Sequence, residues 1–483
     1  MNPGARPASR AFFFWAAVLS LILGHGLIRF ASDALATVRS PWSRDYGEGC
    51  TLALASLLVE RGDYFPALVD YPFLVANYPP VFVSLVALGQ VLFGPTLFVP
   101  RMLALLATLA LMGLLFKALR TLPLPLGPAA ALTLVFAMPW FVTTWAALAR
   151  VDTLAIALSL AGLVVVLRSE PGRAPWPALA CFWLAFFTKQ NALAAPAAVL
   201  LELALARDRR FGRALAAYAL PLAALFGLLV LVTHGRAFTH LVVYTAAASY
   251  EWDRMAGSYL QLGAMLGPLL ALVAAAFASG AVSRADRTGR LLLLYLGLSL
   301  AGFATIAKDG AAQNYFIEPW LAGLLAAGWA LRGLMRHAAV QRLWPVPLVL
   351  AAAVANYAFP ALDRLPQALR RPENADEFPV LTRLVHEARG PVLSENLTLP
   401  VLDGRPALLD PFGVRLIAEH HFFDPARLVR DCEAGRFALV VVEHRMWDVP
   451  GLGACLERRY EPIAALGAYE ALGPRRTEAR EVR

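Results

Sequence analysis

Two carboxylates, Asp45 and Glu48, stand three residues apart in Asp45-Tyr46-Gly47-Glu48-Gly49, just beyond the first long apolar block of the chain. On a helix that spacing brings them to one face, and a carboxylate within hydrogen-bond reach of an attacking hydroxyl can take its proton. The same residues are equally suited to cap the helix that follows, since a side-chain oxygen at a helix start accepts from otherwise orphaned N–H groups. Isolated cations recur further along: Arg150 beside Asp152, Lys189 in Lys189-Gln190-Asn191, and Lys308 in Lys308-Asp309-Gly310. An arginine fork can bind two oxygens of an anion, although Arg150 could equally pair with Asp152, and a lysine near a membrane can simply snorkel. Asn314, Tyr315 and Glu318 fall on the expected first turn of a helix, where N–H donors, an amide and a carboxylate meet a polar ligand or a divalent cation. His240 lies in a polar stretch with Tyr244, Glu251 and Asp253, and reads first as a loop histidine. His420 and His421 are adjacent, so a helix would not aim them at one metal.

The elements that must carry these residues are membrane helices. Of 483 residues 59% are hydrophobic and only 16% charged, against roughly a quarter charged in soluble domains. Apolar blocks fall near residues 11 to 28, 97 to 116, 126 to 147, 153 to 167, 176 to 188, 192 to 206, 214 to 233, 258 to 282, 291 to 307, 315 to 331 and 343 to 360, which makes eleven candidate spans. About 20 apolar residues cross a hydrocarbon core. The net charge of +9 comes from short basic clusters between the blocks, which is how orientation is written rather than how a nucleic-acid groove is built. Four cysteines without metal-ligand spacing exclude a disulfide-built or zinc-thiolate fold. Arg6 and Arg10 ahead of the first block, with Ala34-Leu35-Ala36 after it, resemble a cleaved signal, but the apolar run is longer than such segments use, and an uncleaved helix is expected.

Cytoplasmic loops retain Lys and Arg. With the N-terminus inside and eleven spans, Lys117 and Arg120, Arg168 and Arg173, Arg207 to Arg213, Arg284 to Arg290, and Arg332 to Arg342 all face the cytoplasm. Counting Val81 to Phe93 as a span would invert everything after it, so that segment, between Pro79-Pro80 and Gly94-Pro95, is expected as a juxtamembrane helix. The loop of residues 29 to 96, the turns at Arg150 and Lys189, the stretch from His234 to Gly257 and the turn at Lys308 then share the outer face. Ionisable residues at membrane depth are costly and tend to be kept for use. Residues 1 to 360 therefore form the membrane part. Residues 361 to 483 are less apolar and read as a small extracytoplasmic α/β domain, with helices at Glu377 to Ala388 and Pro425 to Cys432 and strands at Pro391 to Ser394 and Phe437 to Glu443. A Cys432–Cys455 bridge is possible in that compartment.

The order of Asp45-Tyr46-Gly47-Glu48-Gly49, Gly62-Asp63-Tyr64-Phe65, Asn77-Tyr78-Pro79-Pro80, Leu92-Phe93-Gly94 and Arg101 resembles the opening of the GT-C membrane glycosyltransferases, the protein-mannosyltransferase and aminoarabinose-transferase-like enzymes. Ala149-Arg150-Val151-Asp152, Phe187-Thr188-Lys189-Gln190-Asn191 and the run from Lys308 to Glu318 resemble later signatures of a bacterial branch. The resemblance spans roughly residues 10 to 330. It implies a multi-pass protein of the bacterial inner membrane that draws a sugar from a polyprenyl-phosphate donor and transfers it, with inversion, to a lipid, glycan or protein outside. It implies Asp45 as the catalytic carboxylate, with Glu48 as the close second. Arg150, Lys189 and Lys308 would meet the donor phosphate, and Tyr78, Asp152, Gln190, Asn314, Tyr315 and Glu318 the substrate. Tyr78 stands where lysine often precedes the Pro-Pro pair, so another cation has to take over. No cofactor is required, and a divalent cation is an option. The rival readings are a transporter or flippase of lipid-linked sugars, which would place polar groups at the midplane with repeat symmetry, and a non-catalytic, membrane-anchored envelope assembly factor.

Overall fold

Lipid offers backbone N–H and C=O groups no partner, so an apolar segment in a membrane closes its hydrogen bonds within itself as a helix. A computed structural model of the chain describes residues 10–169, 175–283, 285–357 and 376–475, and each of the eleven apolar blocks lies on helix there. Among the described residues five helices are long and apolar enough to cross a membrane: Arg10–Arg39, Phe98–Thr121, Phe211–Val232, Trp252–Ala278 and Arg287–Ala307. Val81–Phe93, Leu126–Phe136, Trp176–Thr188, Ala194–Leu205 and Pro345–Tyr357 are shorter apolar helices. The block at 126 to 147 is not one continuous helix. It is divided into Leu126–Phe136 and Trp140–Trp145, because Pro139 lacks an N–H and drives the residue before it out of helical geometry. Arg6, Arg173, Arg284 and the boundary at Pro360 lie outside the described residues.

The hub of the bundle is helix Ile317–Leu334, buried along nearly its whole length, with Trp320 and Trp329 fully enclosed. A helix that is apolar all round belongs at the centre of a bundle. Trp252–Ala278 and Arg287–Phe303 pack against it. Asp152–Arg168 packs between Phe98–Thr121 and Trp176–Thr188, and Ala194–Leu205 lies along Arg287–Phe303. At the end opposite the site, Glu202 is buried and bonded to Arg287 at 3.1 Å and Arg290 at 2.9 Å, which ties two of these helices together through charge.

The terminal segment builds a four-stranded sheet in the order β1-β2-β4-β3, from β1 (Val392–Ser394), β2 (Leu439–Val442), β3 (Tyr460–Leu466) and β4 (Tyr469–Pro474). β1 and β2 run parallel, and the other pairs antiparallel. Helices Glu377–Glu387 and Ala426–Glu433 and strands β1 and β2 lie where the pattern places them; helices Pro411–Ala418 and Leu452–Arg459 and the β3–β4 hairpin are additional. Cys432 and Cys455 are disulfide-bonded. This sheet unit is seated on the first loop. Leu397, Val401 and Ala407 share an apolar core with Leu52, Leu74 and Phe82, Trp42 stacks on Phe378 at 5.2 Å, and Phe73 bridges to Leu409.

Candidate active site

Helix Tyr46–Arg61 begins where Asp45, in extended geometry, caps it by accepting from the Gly47 N–H. The oxygen that caps, Oδ1, also accepts from Arg150 Nη1 at 2.9 Å. Capping and ion pairing thus fall on one carboxylate, which remains partly exposed at 26% of its side chain. Gly47 is needed here, since a Cβ at that position would overlap the Arg150 guanidinium.

Glu48 is placed quite differently. It is fully buried and accepts from Arg101 Nε and Nη2, each at 2.7 Å, from the Arg44 N–H at 2.8 Å and from the Ala149 N–H at 3.0 Å. A carboxylate offers about four lone-pair sites, and these donors take them all. Arg101 spends its remaining donors on the carbonyls of Thr37, Ser40 and Trp42. The pair therefore staples the end of helix Arg10–Arg39, the first loop and helix Phe98–Thr121 together, and Glu48 has no free oxygen to offer a substrate.

Arg150 joins the carboxylate to a second cluster. Its Nη2 lies 3.3 Å from the Tyr78 hydroxyl, its guanidinium lies 5.4 Å from the Trp145 ring centroid, and Tyr78 is within electrostatic reach of Asp152, Lys189 and Tyr315. Lys189 Nζ bonds to Asp152 Oδ1 at 2.6 Å and sits over the Tyr315 ring at 4.4 Å, while Asn314 Nδ2 donates to the same Asp152 oxygen at 2.6 Å. Glu318 accepts from Tyr295. Gln190 donates to the Asn77 carbonyl and so ties the turn at Lys189 to the Pro-Pro entry of the first loop. Asp152, Lys189, Asn314, Tyr315 and Glu318 line one cavity of ≈ 370 Å³, whose remaining wall is mainly apolar and includes Ile156, Leu298 and Phe303. Two polar atoms of its lining residues, Asp152 Oδ2 and Asn314 Oδ1, are buried without a protein partner, as are Arg150 Nε and Gln190 Oε1 nearby in sequence. In the cavity wall such atoms are free to bond to a polar ligand or to water.

The charges are mutually set. Burial alone would lower the pKa of Lys189, but the Asp152 carboxylate raises it above the ordinary lysine value. Correspondingly, burial would raise Asp152, and Lys189 and Arg150 hold it below the usual carboxylate range. For Arg150 burial is outweighed by Asp45 and Tyr78, so its pKa lies above the usual guanidinium range. Burial lifts the Tyr78 phenol above its ordinary value despite Arg150.

Lys308 does not join them. Its ammonium donates to the Thr245 carbonyl, its backbone bridges to Tyr250, and it is not among the cavity's lining residues. The turn expected to expose it is instead a strand-like contact with the stretch before Trp252. His240 is likewise not a solvated loop residue. It is buried, with Nδ1 accepting from the Ala76 N–H at 3.0 Å and Nε2 at 3.0 Å from the Pro66 carbonyl, and burial pushes its pKa down to about 4. It holds the first loop closed on itself. His25 bonds to Asn356 within the bundle.

The fold is that of the GT-C membrane glycosyltransferases. Among solved structures the chain is similar to ArnT from Cupriavidus metallidurans in the apo state, with a TM-score of 0.59 and 14% identity over 94% of this chain and 97% of that one. The same protein bound to undecaprenyl phosphate gives 0.58. The Archaeoglobus fulgidus oligosaccharyltransferase in the apo form gives a TM-score of 0.58 at 9% identity, over 93% of this chain and 73% of that one. The arabinofuranosyltransferase AftD from Mycobacteria gives 0.51 at 16% identity, over 97% of this chain and 40% of that one. No protein-family model and no curated protein matches the sequence.

Proposed function

We propose that the chain is an inverting glycosyltransferase of the bacterial inner membrane that moves a sugar from a polyprenyl phosphate to an acceptor at the outer face. The observation that carries this reading is the partly exposed Asp45 carboxylate on Arg150, whose guanidinium also meets Tyr78 and lies within electrostatic reach of Asp152 in the wall of the cavity that Lys189, Asn314, Tyr315 and Glu318 share. Support comes from the shared fold and from the ArnT structure bound to undecaprenyl phosphate.

Asp45 is the base. It takes the proton of the acceptor hydroxyl as that oxygen bonds to the anomeric carbon. The bond from that carbon to the phosphate oxygen breaks, and the electron pair leaves with the polyprenyl phosphate. Attack and departure on opposite faces invert the centre. The leaving group is already anionic, so fixed positive charge is what the site has to supply. Arg150 and Lys189 supply it, and Lys189 takes the place of the cation missing at Tyr78. The unpartnered oxygens of Asp152 and Asn314, with Glu318, accept from sugar hydroxyls. A divalent cation on Asp152 would lie against the Lys189 ammonium, 2.6 Å from that carboxylate, so this donor set fits hydroxyls better than a metal. Glu48 and Arg101 hold the loop in place.

The test is purified protein with a labelled polyprenyl-phosphate sugar and a cell-envelope lipid fraction as acceptor, in vesicles. Release of free polyprenyl phosphate with label appearing in acceptor is expected. Movement of the intact lipid across the bilayer with no cleavage would instead make the protein a flippase.

A further inference from the structure

Tyr46 directly follows Asp45 and opens helix Tyr46–Arg61, yet its side chain is held by residues from the far end of the chain. Its hydroxyl donates to Asp410 Oδ1 at 2.5 Å, across 364 positions of sequence, and accepts from the Phe412 N–H at 3.3 Å. The Arg445 guanidinium lies 4.6 Å from its ring centroid. Each of these holders is itself fixed. Asp410 is buried, caps helix Pro411–Ala418 by accepting from the Gly413 N–H at 3.0 Å, and donates its own N–H to the Phe73 carbonyl at 2.8 Å. Arg445 is bonded to Glu395 and to Glu443, both at 3.4 Å. Glu395 in turn is buried among the backbone N–H groups of residues 443 to 446.

The Asp410 oxygen that caps its own helix also accepts from the Tyr46 hydroxyl, so these buried polar groups are bonded to one another. What the bond accomplishes is directional. Among the described residues the Asp45 carboxylate accepts from the Gly47 N–H and from Arg150, both at the same oxygen. The carbonyl of the peptide joining Asp45 to Tyr46 accepts from the Glu48 N–H at 3.1 Å, which ties that peptide to the helix start, and the Tyr46 side chain ties the same start to the sheet unit. The same helix Pro411–Ala418 also reaches the turn after Lys308, where Arg415 pairs with Asp309 at 2.8 Å. The sheet unit thus grips both the loop that carries Asp45 and the turn at Asp309.

We propose that Asp410, Phe412 and Arg445 of the terminal sheet unit hold Tyr46 so that the neighbouring Asp45 carboxylate stays aimed at the acceptor hydroxyl. Tyr46 and Asp410 are positioning residues for sugar transfer, and the sheet unit is a working part of the transferase. This inference rests on the assignment of Asp45 as base.

The test uses the full-length purified protein and compares Tyr46→Phe, Asp410→Asn and the double variant with wild type, with Asp45→Asn alongside. Tyr46→Phe keeps the ring and deletes the bond. Each single variant is expected to lower kcat by about tenfold to a hundredfold, the cost of a small misplacement of a reacting group, while donor KM stays within about twofold. The double variant is expected to match Tyr46→Phe, because Asp410→Asn removes the charge from a contact that Tyr46→Phe deletes outright. A role confined to stability would lower the melting temperature and the folded yield while leaving kcat per folded molecule unchanged, and that result would overturn the proposal. Should one variant fail to fold, the other carries the comparison. If Asp45→Asn is inactive while Tyr46→Phe and Asp410→Asn keep wild-type kcat, the base stands and the positioning role falls. If Asp45→Asn retains full transfer, the base assignment itself fails.

Discussion

Asp45 and Glu48 show how one sequence spacing can produce two different fates. Both were visible as acids of the first loop in the primary structure, but which of them keeps a free oxygen depends on Arg101, which reaches Glu48 from another helix. Removing one partner of a buried ion pair leaves the other charge uncompensated, at a cost of about 3–5 kcal/mol. Glu48→Gln and Arg101→Met should therefore lower the melting temperature in detergent, with transfer per folded molecule retained. Lys189→Met should act in the other direction, raising donor KM by about tenfold through loss of a charge-assisted contact, as read from initial rates at varied donor. Lys308 was legible as an isolated cation but not as a residue turned toward Thr245, since that contact accompanies backbone pairing at Tyr250. His240 gives a pH prediction. Its folded-state pKa of about 4 lies below the ordinary value of 6.5, so the unfolded chain binds the extra proton between those values. That contribution to stability is complete above pH 6.5 and falls away as pH drops toward 4, by about 3 kcal/mol in all. Melting curves across that window should show a loss that His240→Gln lacks.

At the scale of elements, hydropathy carried most of the reading. An apolar run of about 20 residues in lipid closes its backbone hydrogen bonds as helix, so the blocks were legible even where Pro139 splits one of them. The basic clusters carry the expected orientation because charge asymmetry is local in sequence. The β3–β4 hairpin was not legible. β3 contains Pro462 and is largely exposed, so it shows neither the alternation of a half-buried strand nor the apolar run of a buried one. Helix Pro411–Ala418 had a legible start in Asp410-Pro411, the pairing of a capping acid with proline at the first turn. Its contact with Tyr46 had no local signal at all. The Cys432–Cys455 disulfide ties helix Ala426–Glu433 to helix Leu452–Arg459 across a separation of 23 residues. A bridge closing a loop of that order contributes about 2–4 kcal/mol. Cys432→Ser with Cys455→Ser should lower the unfolding temperature of the sheet unit by that measure, and reducing agent should do the same to wild type and nothing further to the double variant.

At the scale of the whole molecule, the helix bundle gathers Arg150, Asp152, Lys189, Asn314 and Glu318 at the ends of different helices, and the first loop brings Asp45 to them. The sheet unit then closes on that loop through Asp410, Phe378 and Leu397. Sidedness follows as a single expectation: cysteines introduced at exposed Val69 and Tyr250 should react with an impermeant thiol reagent from the same side, opposite to one placed at Arg207. The claim on which the rest depends is that a carboxylate in the first loop takes the acceptor's proton. Single-turnover transfer of labelled sugar from a polyprenyl phosphate, measured for wild type and Asp45→Asn under matched donor saturation, tests it most directly. Loss of the base should slow the step by about a hundredfold to ten-thousandfold with donor still bound; an unchanged rate would contradict the account.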